Sequence, residues 1–315
     1  MKKETSTLNS PEAISICRSK QLTKEMLRAA GLPTPDGIVL RQDQFDEALA
    51  HVQAVGRPSV LKPLSQGRGE GVVCGIATED DLRAAWETAG RAARRAPELL
   101  LEEQIEGIDI RVSVVGRRVV AVATRLPSHV VGDGRRSIAE LVELKQRRRD
   151  QHAYLAKSPL TVERALLARA GRALHDVPVA NEVVVLNGPS NVGTGGENVD
   201  VTGLVHADLL NLAVDASRAI PGLRNTGVDL MAQDLDTVDG AVILEANFCP
   251  DIRVHHHPAY GRPRDIAGAI VDEMLASAGA PARWPSRRRA RHVRVVRRLA
   301  RAARRRLSAD RRLQE

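Results

Sequence analysis

Two β-type runs, Ile110 to Val115 and Arg118 to Thr124, are separated only by Gly116-Arg117, and this tight turn is the most constraining feature of the chain. A larger lobe begins after Gly107 with these two strands. Before it, β-type runs at Ile38 to Leu40, Ser59 to Lys62, Val72 to Ile76 and Leu99 to Glu102, with a charged helical stretch from Asp80 to Arg95, read as a small α+β lobe. A helix precedes that lobe. Leu22, Met26, Leu27 and Ala30 recur at helical spacing, Gly31 caps the end, and Pro33 and Pro35 block continuation. In the larger lobe, Ile138 to Arg149, Leu160 to Leu174 and Ala207 to Ile220 read as helices. Glu182 to Leu186, Gly227 to Met231 and Ala241 to Asn247 read as strands, and Gly188 to Glu197 as a glycine-rich loop. No internal repeat is evident.

At 315 residues, 43% hydrophobic and 27% charged, the chain can bury a sizeable core. No apolar run is long enough to span a membrane, and none follows Lys2 and Lys3, so a cytoplasmic protein is expected. Cys17, Cys74 and Cys249 are odd in number and widely spaced, which suggests neither a disulfide framework nor a zinc site. Aromatic residues are only 2%, too few for base-stacking platforms. The net charge of +8 is misleading. From Pro281 onward, 14 arginines face only Asp310 and Glu315, a net +12, so the preceding 280 residues carry −4. Within that tail Val296, Leu299, Ala303 and Leu307 share one helical face, with arginines around much of the rest. A basic amphipathic helix of this kind suits a polyanion, a membrane surface or an acidic partner, and a solvated, partly disordered extension fits equally well.

Lys62 lies in the run Ser59-Val60-Leu61-Lys62-Pro63, shortly before the loop Gln66-Gly67-Arg68-Gly69-Glu70-Gly71. A cation beside glycines that let backbone N–H groups approach a ligand is a reasonable phosphate site; a lysine snorkelling from an edge strand gives the same pattern. Glu245 and Asn247 lie two apart on a strand and so project from one face. With Asp229 at the end of a neighbouring strand they offer hard oxygen ligands for Mg²⁺, although ordinary strand-end polar residues look alike.

Order and spacing together decide between these readings. SKQLTKEMLRAAGLPTP, VLKPLSQGRGEGV, LLLEEQIEGIDIRVSVV, TGVDLM and ILEANFCP resemble the successive motifs of the ATP-grasp ligases, from Ser19 to Leu275. ATRLPSHVVGDGRRSIAELVEL, NVGTGGENVDVT and FCPDIRVHHHPAYGRPRDIAGAIVDEML are most similar to the ATP-grasp portion of cyanophycin synthetases, with that of bifunctional glutathione synthetases close behind. The resemblance implies an α+β ATP-grasp fold of two lobes, residues 19–106 and 107–280, with the nucleotide between them. Residues 1–18 would form an extension and 281–315 the basic tail.

The resemblance also implies roles. Lys20 and Lys62 match lysines that contact nucleotide phosphates, and Gln66, Gly67, Arg68, Gly69 and Gly71 belong to the lid loop. Glu102, Glu103, Gln104 and Ile105 resemble the adenine hinge, and Asp109 the carboxylate that accepts ribose hydroxyls. Asp229, Glu245 and Asn247 match the metal ligands, for ATP with two Mg²⁺ ions and Mn²⁺ as a substitute. Asn191, Thr194, Gly195 and Gly196, with Arg253 and His255, sit where such enzymes handle the acyl acceptor. Gly227 stands where some relatives have an arginine, so another cation must bind the carboxylate or γ-phosphate; Arg125 and Arg253 are the candidates.

The activity implied is ADP-forming ligation of a carboxylate to an amine through an acyl phosphate, on an amino acid or short peptide. The alternatives are a ligase that modifies a protein and a non-enzymatic polyanion-binding module; a homodimer is compatible with either. Cyanophycin synthetases carry a domain before the ATP-grasp portion and a Mur-ligase-like domain after it. Only about 18 residues precede Ser19, so a full pre-ATP-grasp domain is lacking and cyanophycin synthesis itself is not expected. The run His255-His256-His257 does not suit a metal, because magnesium prefers oxygen and adjacent extended residues cannot all face one ion. Cys249 reads as a small core residue, not a nucleophile.

Overall fold

A computed structural model describes residues 7–64, 69–93, 97–188 and 190–278. Gln66, Gly67, Arg68 and the arginine-rich tail lie outside the described residues. The chain divides into two units, Met1–Val271 and Asp272–Glu315, the second described only over residues 272–278.

The first unit opens with helices α1 (Pro11–Arg18) and α2 (Lys20–Ala29). Ser10 caps α1 by accepting from the Ala13 N–H, and Ser19 caps α2 by accepting from the Leu22 N–H. The segment expected as an extension is therefore helical over α1, which buries Ala13 and Ile16. Next come β1 (Gly37–Arg41), α3 (Phe45–Val55), β2 (Ser59–Pro63), β3 (Val73–Ile76), α4 (Glu79–Ala92) and β4 (Glu98–Glu103). Their strands form an antiparallel sheet in the order β1-β4-β2-β3. Leu40, Leu61, Ile76, Leu99 and Leu101 bury one face of it against Ala48 and Val52 of α3 and Leu82, Ala85 and Ala89 of α4. A capping box at Thr78 and Asp81 starts α4.

The hairpin read from the sequence is present as β5 (Ile108–Val115) and β6 (Arg118–Leu126), with Gly116 at φ 68° in the turn. There follow β7 (His129–Val131), α5 (Ile138–Asp150), α6 (Arg164–Arg169), β8 (Val183–Val185), β9 (Glu197–Asp200), α7 (Ala207–Ala219), β10 (Asn225–Ala232), β11 (Val242–Asn247), α8 (Arg253–His256) and α9 (Ile266–Ala278). Strands β11-β10-β5-β6-β9 make a second antiparallel sheet, while β7 and β8 pair separately. Alternation divides the five-stranded sheet cleanly. Ile110, Val112, Val114, Val122, Val228, Leu230 and Ile243 bury one face against Leu209, Leu212 and Ala213 of α7. Asp109, Arg111, Arg125, Gly227 and Asp229 occupy alternate positions on β5, β6 and β10, and so lie on the other face.

Two expected elements differ. The helix expected from Leu160 to Leu174 is only α6, because residues 160–163 lie outside it, with Glu163 extended and its N–H bonded to the Leu186 carbonyl, and Gly171 at φ 66° follows its end. The loop expected to Glu197 ends where β9 begins, paired edge to edge with β6.

Candidate active site

On strand β11 simple alternation would put Ile243 and Glu245 on one face. The structure prevents this. The register of β10 and β11 shifts between Asp229, opposite Glu245, and Leu230, opposite Ile243, so Leu244 is the extra residue of a bulge. Ile243 enters the core, while Glu245 and Asn247 share the face of Asp229.

Asp229 is the hub of that face. Arg111, directly opposite in the β5–β10 register, grips it with Nε on Oδ1 and with Nη2 on Oδ2 at 2.9 Å. Arg125 Nη2 lies 3.4 Å from Oδ2, and Asn247 Nδ2 lies 3.5 Å from the same oxygen. Arg125 also bonds Asp109 Oδ1 through Nε at 2.9 Å and Nη2 at 2.6 Å. Burial pushes the Asp229 carboxyl up, but Arg111 and Arg125 outweigh it and hold it below the usual carboxylate range. Asp229 therefore stays ionised. Among the described residues no three His, Cys, Asp or Glu side chains converge as a protein-only metal site. A cation here would complete its shell with oxygens from elsewhere, which suits magnesium on a polyphosphate.

Arg111 was missed in the sequence. Its signal is the alternation Asp109-Ile110-Arg111, which places it on the face of Asp109, together with Gly227 one strand away. A Cβ on Gly227 would come within 3.0 Å of Arg111 Cδ and 2.8 Å of Pro250 Cβ, so the missing side chain makes room for the arginine. Of the two cations expected to compensate for Gly227, Arg125 joins the cluster. Arg253 turns instead to Asp251, with Nε at 2.8 Å and Nη2 at 2.6 Å, and lies over the Tyr154 ring. His255 is buried near Arg111, and burial, helped by that guanidinium, pushes its imidazole down to about 4.

Sheet β1–β4 and α2 bring in the lysines. Lys62 of β2 and Lys24 of α2 both pair with Glu102 of β4, Lys24 at 2.5 Å. Burial alone would raise the Glu102 carboxyl, but the two ammonium groups hold it low. Lys20, at the start of α2, lies 3.4 Å from the Leu64 carbonyl. Burial lowers its ammonium against the opposing pull of Glu245, so the two are within electrostatic reach across the site. Glu103 accepts from the Asp36 N–H at 3.2 Å and pairs with Arg57 at 2.6 Å, and Gln104 Oε1 accepts from the Gly75 N–H at 2.6 Å. The side chains of Glu102, Glu103 and Gln104 thus fasten the sheet; half-buried Ile105 follows them.

Gly69 and Gly71 adopt φ of 77° and 72°, open to glycine. A Cβ on Gly69 would lie 3.7 Å from Asn191 Nδ2, which brings the two expected loops together. The second loop is a compact turn: Asn191 Oδ1 accepts from the Gly193 N–H, and its carbonyl accepts from the Thr194 and Gly196 N–H groups. Gly195, at φ 90°, and Gly196 leave no room for a Cβ against Thr161, Leu160 and the Leu126 carbonyl.

Comparison with known proteins bears on the family and the fold. Residues 26–142 match the family described as D-ala D-ala ligase C-terminus, and over most of its length the chain is similar to ATP-grasp ligases. It is 38% identical over 272 residues to the cyanophycin synthetase of Trichormus variabilis, covering 83% of this chain and 29% of that one. It is 30% identical over 274 residues to the bifunctional glutathione biosynthesis protein of Pasteurella multocida, covering 82% and 35%. The chain thus spans about a third of the length of these curated relatives. Among solved structures, a bifunctional glutathione synthetase from Pasteurella multocida superposes with TM-score 0.61 at 27% identity over 86% of this chain and 38% of the other. A D-alanine–D-alanine ligase from Bacillus anthracis, 16% identical with TM-score 0.51 over 92% and 72%, shares the fold.

Proposed function

We propose that the chain joins a carboxylate to an amine with conversion of ATP to ADP and phosphate, acting on an amino acid or short peptide in the cytoplasm. The observation that carries this reading is that Lys20 of α2 interacts electrostatically both with Lys62 of one sheet and with Glu245 of the other, which shares the face of Asp229 and Asn247. A binding module has no need of phosphate-type cations facing metal-type oxygens.

In this reading the two sheets form jaws, residues 19–106 and 107–280, with the nucleotide between them. Lys20 and Lys62 hold its phosphates, the Glu102–Ile105 hinge meets adenine, and Asp109 takes the ribose hydroxyls. Magnesium held by Asp229, Glu245 and Asn247, as two ions or with manganese in its place, supplies charge neutralisation on the transferring phosphoryl group. Arg111 and Arg125 stand over the same spot and stabilise negative charge on the substrate carboxylate and the phosphoryl oxygens. A carboxylate oxygen attacks the γ-phosphorus and ADP departs, giving an acyl phosphate. The amine then attacks the acyl carbon near the 191–196 loop and His255, phosphate leaves with the bonding electrons, and the amine gives up a proton. Exclusion of water from this point protects the intermediate from hydrolysis.

An ADP-release screen with Mg-ATP over amino acids, dipeptides and candidate protein acceptors tests the reading. Release that requires both a carboxylate and an amine supports it. Release with neither, or with a protein acceptor only, replaces it.

A further inference from the structure

Away from Asp229, a cavity of about 490 Å³ opens beside α5, β7 and the start of β9. Leu141, Leu144 and Leu155 give it apolar surface, and Lys145, Arg148 and Arg149 of α5 give it charge. Arg149 is drawn deep into the protein, its side chain only 2% exposed. Nη1 donates to the Gly196 carbonyl at 3.2 Å, and Nη2 donates to the Ser158 carbonyl at 2.7 Å. Its Nε–H, also buried, has no acceptor among the described residues. The guanidinium thus brings a positive charge to the cavity wall that, among the described residues, Glu197 alone opposes as an ion pair, at 3.4 Å.

The remaining groups say what kind. Both carboxylates in the lining are already engaged: Glu197 by Lys145 at 2.9 Å and Arg149 at 3.4 Å, and Asp133 by Arg136 at 2.5 Å. Both imidazoles are committed as well. His129 Nδ1 faces the Pro127 carbonyl at 2.9 Å and its Nε2 faces Lys145 at 3.2 Å. His152 Nδ1 accepts from the Leu155 N–H at 3.2 Å, and Nε2 faces the Pro258 carbonyl at 3.3 Å. Lys145 has three N–H donors and these contacts use two. Arg148 is exposed and forms no salt bridge among the described residues. What is left over is donors and positive charge beside leucines. The lining carries Arg136, Lys145, Arg148 and Arg149 against Asp133 and Glu197 alone, so the excess charge is positive, and an anion with a short carbon chain would be matched at both ends.

We propose that this cavity binds a small carboxylate anion, held by Lys145 and Arg148 in the field of the buried Arg149 guanidinium, with its carbon chain against the leucines. Glu197 directly follows Gly196, and Arg149 bonds both residues, so the occupied cavity bears on the base of the 191–196 loop. The carboxylate is either the far end of an extended acceptor or a separate effector. The proposal stands apart from the ligase reading, because binding is measured without turnover.

Succinate titrated calorimetrically into the full-length protein tests it, with and without a non-hydrolysable ATP analogue. Saturable binding is expected in both cases, weakened about tenfold or more by Arg148→Gln, with n-butylamine failing to bind. Arg148 has no structural partner to lose, so an unchanged melting temperature in that variant shows that the lost binding is local. Under turnover, succinate competing with the amine marks the acceptor's far end, and inhibition or activation without competition marks an effector. Absence of saturable succinate binding up to about 10 mM, or equal affinity in Arg148→Gln, overturns the proposal.

Discussion

The side chain of Arg111 lies across Gly227, so close that a Cβ on the glycine would sit 3.2 Å from its Nη1 as well as 3.0 Å from Cδ. The glycine is needed here for space, and the space determines where the guanidinium meets Asp229. Gly227→Ala should push Arg111 off that carboxylate. ADP release should fall about 10- to 100-fold, the cost of misplacing a charge by roughly 1 Å. Steady-state kinetics on a variant that retains its melting temperature measures this, and wild-type turnover would remove Arg111 from the chemistry.

Glu102, with its side chain 4% exposed, neutralises Lys24 and Lys62 together. Glu102→Gln leaves two buried ammonium groups without a countercharge, and breaking such a network costs about 3–5 kcal/mol. Urea unfolding should show that loss, together with a raised KM for ATP as Lys62 loses its position. A stability change below about 1 kcal/mol would mean that water already screens the lysines.

His255 makes stability depend on acid. Its folded-state value of about 4 lies below the ordinary 6.5, so the unfolded chain binds more protons between those two pH values. Stability from this residue is complete above about pH 6.5 and is lost as the pH falls toward about 4, by about 3 kcal/mol in all. Unfolding curves from pH 7 to 4 should show this slope, and His255→Asn should flatten it. An equal slope in the variant would assign the acid sensitivity to other groups.

Much of this fold was legible because period-two patterns survive in short strands. Glu245 and Asn247 could be placed on one face from their spacing, and Gly116-Arg117 gave the hairpin. The same rule could not reveal that Leu244 bulges, since a bulge shows only when the partner strand is present; without it Ile243 and Glu245 could not both be satisfied. Arg111 escaped notice for a related reason. An arginine alternating with valine and isoleucine reads as an exposed strand position, and only the neighbouring strand supplies Asp229 as its partner and Gly227 as its space. Arg253 looked equally available, but Asp251, two residues earlier, takes up its charge. The 160–174 stretch has helical periodicity throughout, yet the bond from the Glu163 N–H to the Leu186 carbonyl keeps Glu163 extended.

The central claim, that Asp229, Glu245 and Asn247 serve phosphoryl transfer to a carboxylate, is tested most directly by trapping the activated substrate. Protein incubated with Mg-ATP, an active carboxylate substrate and hydroxylamine should yield a hydroxamate with ADP and phosphate. Glu245→Gln, which keeps the shape but removes one negative charge, should lower its yield per unit time about 100-fold or more. Formation of AMP and pyrophosphate instead, or wild-type hydroxamate formation by Glu245→Gln with unchanged metal dependence, would contradict the account.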